Sequence, residues 1–184
     1  MPWIQVIPET GADDSVRTAY ERIAGKRGRV ANVFKIQSLD LESMLAHLDL
    51  YTSLMYGKDG LTREQCELIG VAVSATNKCP YCVRHHTEAL NRYWRDHNRA
   101  ALFALDVKQY PLLPAERAML DYAIKLTKTP NEMNEADVAA LREVGFDDRK
   151  ILLINQIASY FNYVNRLVLG LGVTIEDDTD GFAY

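Results

Sequence analysis

Long apolar runs are missing from this chain, and so is any large concentration of positive charge. No stretch approaches the ~20 consecutive apolar residues that cross a bilayer, and the opening residues, MPWIQVIPETGADD, lack a basic segment followed by an apolar one. The expectation is a soluble, cytoplasmic protein with no membrane partner. The largest basic cluster, GKRGR at 25–29, sits in a chain of net charge −4, so an electrostatic footprint for nucleic acid is absent and none is expected as a partner. Cysteine is scarce as well: three is an odd number and too few for a disulfide framework. Strand-like alternation bounded by turn residues is hard to find, which removes most β architectures.

What is present is helical periodicity. At 48% hydrophobic and 25% charged, 184 residues suffice for one well-buried domain. We expect a single all-α helical bundle over residues 1–184, with an acidic, solvated or partner-docked tail from about 174. Asp13, Asp14 or Ser15 can cap a first helix that ends near Gly25 or Gly28. A short helical piece follows in ANVFKIQS, then a helix from about Asp40 that stops at Gly57 before the turn KDG. Thr62 and Gln65 form a capping-box pattern that opens a helix to about Asn77. Pro80 fits the first position of the next helix, which leaves Cys79 as its N-cap and runs to about His97. Further helices are expected from Asn98, from Pro114 to Thr127, after Asn134, and from Asp148 to about Leu169. The helix after Thr62 echoes the last one at an offset of 85 residues, matching Leu61 with Phe146, Ile69 with Ile154, Ser74 with Ser159 and Asn77 with Asn162. Such an echo suggests two related helical halves, of which only the first carries cysteines.

The chemistry concentrates in NKCPYCVRHH at 77–86. On a helix Cys79, Cys82 and His86 share one face while His85 is turned part of a rotation away. A thiol at a helix N-terminus feels the positive end of the dipole and has unpaired N–H groups in reach, both of which favour the thiolate. Side chains three apart within a helix stand roughly 5–6 Å apart at Cβ, more than a disulfide spans; Cys79, half outside the helix, can close that gap. The cysteines could instead be packing residues, or zinc ligands together with His86 or His85 and with Cys66 or Glu67 as a fourth. A structural zinc site usually draws on two separate segments, and no second C-x2-C or H-x3-H occurs. Cys66, His85, His47 and His97 are expected to be structural, and Tyr160, Phe161 and Tyr163 to be core or oligomer-contact residues.

Glu67, Cys79, Cys82 and His86 together give E-x11-C-x2-C-x3-H, which resembles the active-site pattern of the alkylhydroperoxidase D family within the carboxymuconolactone decarboxylase superfamily. GRVANVFKIQSLD, VAVSATNKCPYCVRHH and FNYVNRLVLGLGV are similar to its peroxidase-related branch. The resemblance implies an all-helical fold with an internal repeat, assembled as a homo-oligomer, a trimer or hexamer. It also implies a peroxidase without a prosthetic group, reducing a hydroperoxide and regenerated by an external dithiol. In that scheme Cys82 attacks, Cys79 resolves, His86 accepts the thiol proton, and Glu67 orients or relays to His86. Position 81 departs from the pattern: the founding peroxidase has a histidine there, and Tyr81, with an ordinary pKa near 10, is a poor base at neutral pH. The helix-terminus argument favours Cys79 as nucleophile and the placement of His86 one turn after Cys82 favours Cys82; Cys82 is the expected one.

Overall fold

In the computed structural model of the protein, residues 1–25, 28–58 and 60–176 are described. Part of the basic cluster GKRGR, Asp59 of the turn KDG and the tail from residue 177 lie outside the described residues. Among those described the regular structure is helical, with no strand: α1 Asp14–Ala24, α2 Asn32–Lys35, α3 Leu41–Tyr56, α4 Arg63–Thr76, α5 Pro80–Trp94, α6 His97–Leu105, α7 Pro114–Lys128, a 3-10 turn Pro130–Glu132, α8 Glu135–Glu143 and α9 Asp148–Gly170. Local chemistry sets most boundaries. Asp13, Asp40, Asp96, Asn134 and Asp147 each place a side-chain oxygen on a first-turn N–H, and Thr62 with Gln65 closes the capping box in both directions. The helix from Pro80 stops at Trp94 instead of His97, because Arg95 turns left-handed (φ 52°) and the Asp96 carboxylate, accepting from the Arg99 N–H at 3.0 Å, starts the next helix there.

The arrangement is built around α4. Every residue from Cys66 to Ser74 is buried, the pattern of a helix surrounded on all sides, and α3, α5, α6, α7 and α9 pack against it. Leu68, Ile69, Val71, Ala72 and Val73 join Leu90, Phe103, Leu120, Ile154, Ile157 and Phe161 in one core. Each large side chain there contributes about 1.5–3 kcal/mol by leaving water. A smaller cluster of Val16, Tyr20, Val30, Phe34 and Met44 fastens α1 to α3, and Tyr20 Oη donates to the Ile7 carbonyl at 2.6 Å.

The echo between halves has a structural counterpart. The N-caps Thr62 and Asp147 keep the 85-residue offset, each preceded by a buried apolar residue, Leu61 or Phe146, and a positive-φ glycine, Gly60 or Gly145. The matched helices α4 and α9 lie against each other, and Asn77 Nδ2 donates to Asn162 Oδ1 and to Asn165 Oδ1, both at 2.9 Å. Gly70 lets the pair approach: a Cβ there would stand 2.7 Å from the Phe161 ring, which itself sits edge-on to His86 with centroids 4.5 Å apart. The packing of α4 on α9 therefore reaches the histidine predicted from the sequence.

Candidate active site

The cysteine pair owes its position to a tight helix ending. Asn77 caps α4, Lys78 adopts the left-handed conformation (φ 56°), its N–H bonds to the Ala75 carbonyl at 3.1 Å, and the Cys79 N–H bonds to the Ser74 carbonyl at 2.9 Å. Those two bonds are the Schellman pattern, closed here by a lysine where glycine is usual, at a cost of about 1–2 kcal/mol. Cys79 is thus the residue after one helix and the N-cap of the next, and Pro80 begins α5 without losing a needed N–H.

Cys79 and Cys82 are both free, both buried, and their sulfurs share a hydrogen bond of 3.1 Å. They are polarised unequally. That shared bond, joined by the N–H groups of Cys82 and Tyr81, outweighs burial and holds the Cys79 thiol below its ordinary pKa. The same bond raises Cys82, with burial and the Cys79 charge adding to it and the Asn165 side chain pulling the other way. A single negative charge on the pair rests on Cys79, at the helix terminus. Cys66 is not part of this pair; burial pushes its thiol up to about 12 and keeps it protonated.

Behind the sulfurs lies a buried charge. Glu67 has 0% exposure, and its two oxygens are divided between two partners: Oε1 accepts from Arg63 Nε at 2.8 Å, and Oε2 bonds His86 Nδ1 at 2.6 Å. Burial alone would push the Glu67 carboxyl upward, but the charges and hydrogen bonds of His86 and Arg63 prevail and hold it below the usual carboxylate range. An ionised Glu67 accepts only, so His86 carries its proton on Nδ1 and keeps Nε2 for exchange. Arg63 is fixed in turn by the Met55 carbonyl at 3.0 Å, by Tyr51 Oη at 3.1 Å and by the Tyr56 ring, 3.9 Å from its guanidinium carbon.

Cys82, His86, His85, Tyr81, Tyr51, Tyr160, Phe34 and Val164 wall a cavity of about 60 Å³, which Cys79 does not line. It has room for a group of one or two water-sized atoms. A wider space of about 320 Å³ shares its walls Ala31, Phe34 and Tyr51 and is further lined by Ile23, Leu48 and Tyr56. Glu67 and Cys79 therefore stand behind the residues that meet the cavity, and Cys82 and His86 stand in its wall. His86 makes no hydrogen bond to Cys82 among the described residues; the histidine expected to touch the sulfur is held by Glu67 and faces the same cavity. No three His, Cys, Asp or Glu side chains gather as metal ligands among the described residues.

The tail expectation needs correcting over its described part. Glu176 docks onto its own chain: Oε1 accepts from Tyr81 Oη and from the Asn32 N–H, both at 2.8 Å, and Oε2 bonds His85 Nε2 at 2.9 Å. Burial opposes its ionisation, yet the bonds from His85, Asn32 and Tyr81 bring Glu176 down to about 2. Tyr81 is consequently a donor to Glu176, and burial with the Glu176 charge raises it well above its ordinary pKa. Sequence reasoning missed Arg63, although the i, i+4 spacing to Glu67 was readable, and it missed Glu176, whose partner His85 lies 91 residues away.

Comparison with known proteins identifies the family to which this helical fold belongs. The Carboxymuconolactone decarboxylase family matches residues 42–125. The chain belongs to that superfamily, among its alkylhydroperoxidase D-like, peroxidase-related members. It is similar to an uncharacterized peroxidase-related protein from Ralstonia eutropha JMP134, described as an alkylhydroperoxidase AhpD core, with 34% identity, a TM-score of 0.85, and coverage of 96% of this chain and 93% of the other. An uncharacterized peroxidase-related protein from Silicibacter sp. TM1040 is 30% identical, with a TM-score of 0.88 over 98% of this chain and 95% of its own. The debrominase Bmp8 shares the fold at 16% identity, with a TM-score of 0.76 over 96% and 91% of the two chains. No curated relative matches the chain.

The docked tail gives a pH prediction. A carboxylate depressed on folding stabilises the fold above its unfolded pKa, about 4.5, and that contribution is lost as pH falls toward about 2. Glu176→Gln is expected to lower the melting temperature near neutral pH, with the gap to the parent narrowing through this window. Thermal melts across the acid range check it; a gap independent of pH would mean that the Glu176 charge contributes nothing.

Proposed function

We propose that the protein is a thiol peroxidase working through the Cys79–Cys82 pair. The reading is supported chiefly by one observation: the buried Cys82 stands in the wall of a small cavity with a second sulfur 3.1 Å from its own and outside that wall. A hydroperoxide entering the cavity meets Cys82. Proton exchange between the sulfurs places the pair's negative charge on Cys82, which attacks the terminal peroxide oxygen. The S–O bond forms as the O–O bond breaks, sulfur loses two electrons, and the leaving oxygen takes the proton that came from the thiol, by way of His86 Nε2 with Glu67 holding the ring. The sulfenic acid condenses with Cys79, releasing water and forming the disulfide. An external dithiol returns two electrons and two protons by thiol–disulfide exchange, and no prosthetic group enters the cycle.

The reverse assignment, with Cys79 attacking first, is favoured by its lowered pKa. Single substitutions separate the two. With Cys82 as nucleophile, Cys82→Ser abolishes turnover and yields no sulfenic acid, while Cys79→Ser reacts once and accumulates a trappable sulfenic acid at Cys82. Peroxide should lower the free-thiol count of the parent from three to one per chain, Cys66 remaining. Rapid oxidation of Cys79 in Cys82→Ser would reverse the roles.

We further propose a homo-oligomer, trimeric or hexameric, because Leu102, Leu105 and Leu113 stand 60%, 83% and 68% exposed around α6 and its following loop. Light scattering should give a mass of three or six times 20.9 kDa; a monomer at micromolar concentration contradicts the assembly.

A further inference from the structure

Two tyrosines of the cavity wall have their hydroxyl oxygens bonded by residues outside that wall and their hydrogens unplaced. Gln37 Nε2 donates to the Val33 carbonyl at 2.7 Å and also lies 2.8 Å from His47 Nδ1. The Val33 carbonyl accepts only, which fixes the amide orientation and leaves Gln37 Oε1 without a partner. Nδ1 of His47 therefore accepts, and its proton sits on Nε2, which donates to Tyr160 Oη at 2.7 Å. Burial lowers His47 to about 4, so the ring stays neutral and this tautomer persists at neutral pH. On the other wall Arg63, which has no acceptor, donates to Tyr51 Oη at 3.1 Å. Each hydroxyl thus accepts a bond that leaves its own hydrogen to be donated elsewhere.

Among the described residues neither hydroxyl donates to an acceptor, although both tyrosines are buried and both line the cavity beside Cys82, with ring centroids 6.0 Å apart. Buried donors are normally matched, and an unmatched one costs about 1–3 kcal/mol. Burial raises both phenols, Tyr51 to about 12 and Tyr160 well above its ordinary value, so both remain O–H donors and not phenolates.

We propose that Tyr51 and Tyr160 are catalytic hydrogen-bond donors that hold the leaving oxygen of the hydroperoxide while Cys82 attacks, with Arg63 and His47 as the residues that position them. This rests on the thiol-peroxidase reading. As the O–O bond breaks, its electron pair passes to the leaving oxygen, and two preorganised O–H groups stabilise that charge until the proton from the Cys82 thiol reaches it. The attack itself, the oxidation of sulfur and the reduction of the peroxide are those already described; the tyrosines add no atoms and are unchanged at the end.

The test compares Tyr51→Phe, Tyr160→Phe and the double variant with the parent. The rate of the first oxidation is measured with cumene hydroperoxide and with hydroperoxides of less acidic parent alcohols, and the alkylation rate of the site thiols with iodoacetamide, which generates no alkoxide. Each single variant is expected to slow oxidation about 10- to 100-fold, somewhat below the loss seen on removing an oxyanion donor from a fully organised site. The loss should grow as the leaving alkoxide becomes poorer, with alkylation unchanged. Phe variants that oxidise at the parent rate, or that lose oxidation and alkylation together, overturn the tyrosine roles alone. A parent protein whose cysteines no hydroperoxide oxidises overturns the peroxidase reading and these roles with it.

Discussion

A carboxylate sealed from water must be compensated, and the buried Glu67 sets that requirement at the centre of α4. One oxygen is satisfied by Arg63, one turn earlier on the same helix, and the other by His86 from α5. Removing either partner leaves one oxygen of a buried carboxylate without its hydrogen bond, a loss of about 1–3 kcal/mol. The consequence is orientational. His86 can neither rotate nor change tautomer without breaking the 2.6 Å bond, and the Phe161 ring, admitted by Gly70, closes on it from α9. The same arginine also binds Tyr51, so a single charge network fixes the histidine, the guanidinium and one cavity tyrosine together.

The sulfurs depend on a different constraint, the backbone path from α4 into α5. The left-handed Lys78 lets one helix end and the next begin within three residues, which puts Cys79 at a helix N-terminus and Cys82 one turn inside it. That geometry divides the work: charge settles on Cys79, where N–H groups point at it, and access belongs to Cys82, which meets the cavity. The two chemical arguments that compete in the sequence both have a physical basis in the structure, because a proton shared across 3.1 Å links the favoured charge site to the accessible one.

Much of this was legible beforehand, for reasons that are local. Thr62 with Gln65, Pro80 and Asn134 mark helix starts through signals acting over three or four residues, and the spacing of Glu67, Cys79, Cys82 and His86 places them on two consecutive helices and the junction between them. What could not be read is held by distant partners. Tyr160 meets His47 across 113 residues and Glu176 meets His85 across 91, and neither contact leaves a periodic trace in the sequence. The end of α5 was misplaced by a few residues because Asp96, a strong N-cap, interrupts a stretch whose apolar pattern continues past it. The acidic tail read as solvated or partner-docked because its composition says nothing of the basic and hydroxyl groups that Glu176 reaches.

If Glu67 acts by holding His86, then the two are one device and their substitutions are not independent. A double-mutant cycle on the first oxidation of Cys82 by hydroperoxide, using Glu67→Gln, His86→Gln and both together, measures this directly. The account predicts that the double variant is no slower than the slower single variant. Losses that multiply would show that Glu67 and His86 act separately, and the charge network would then be structural.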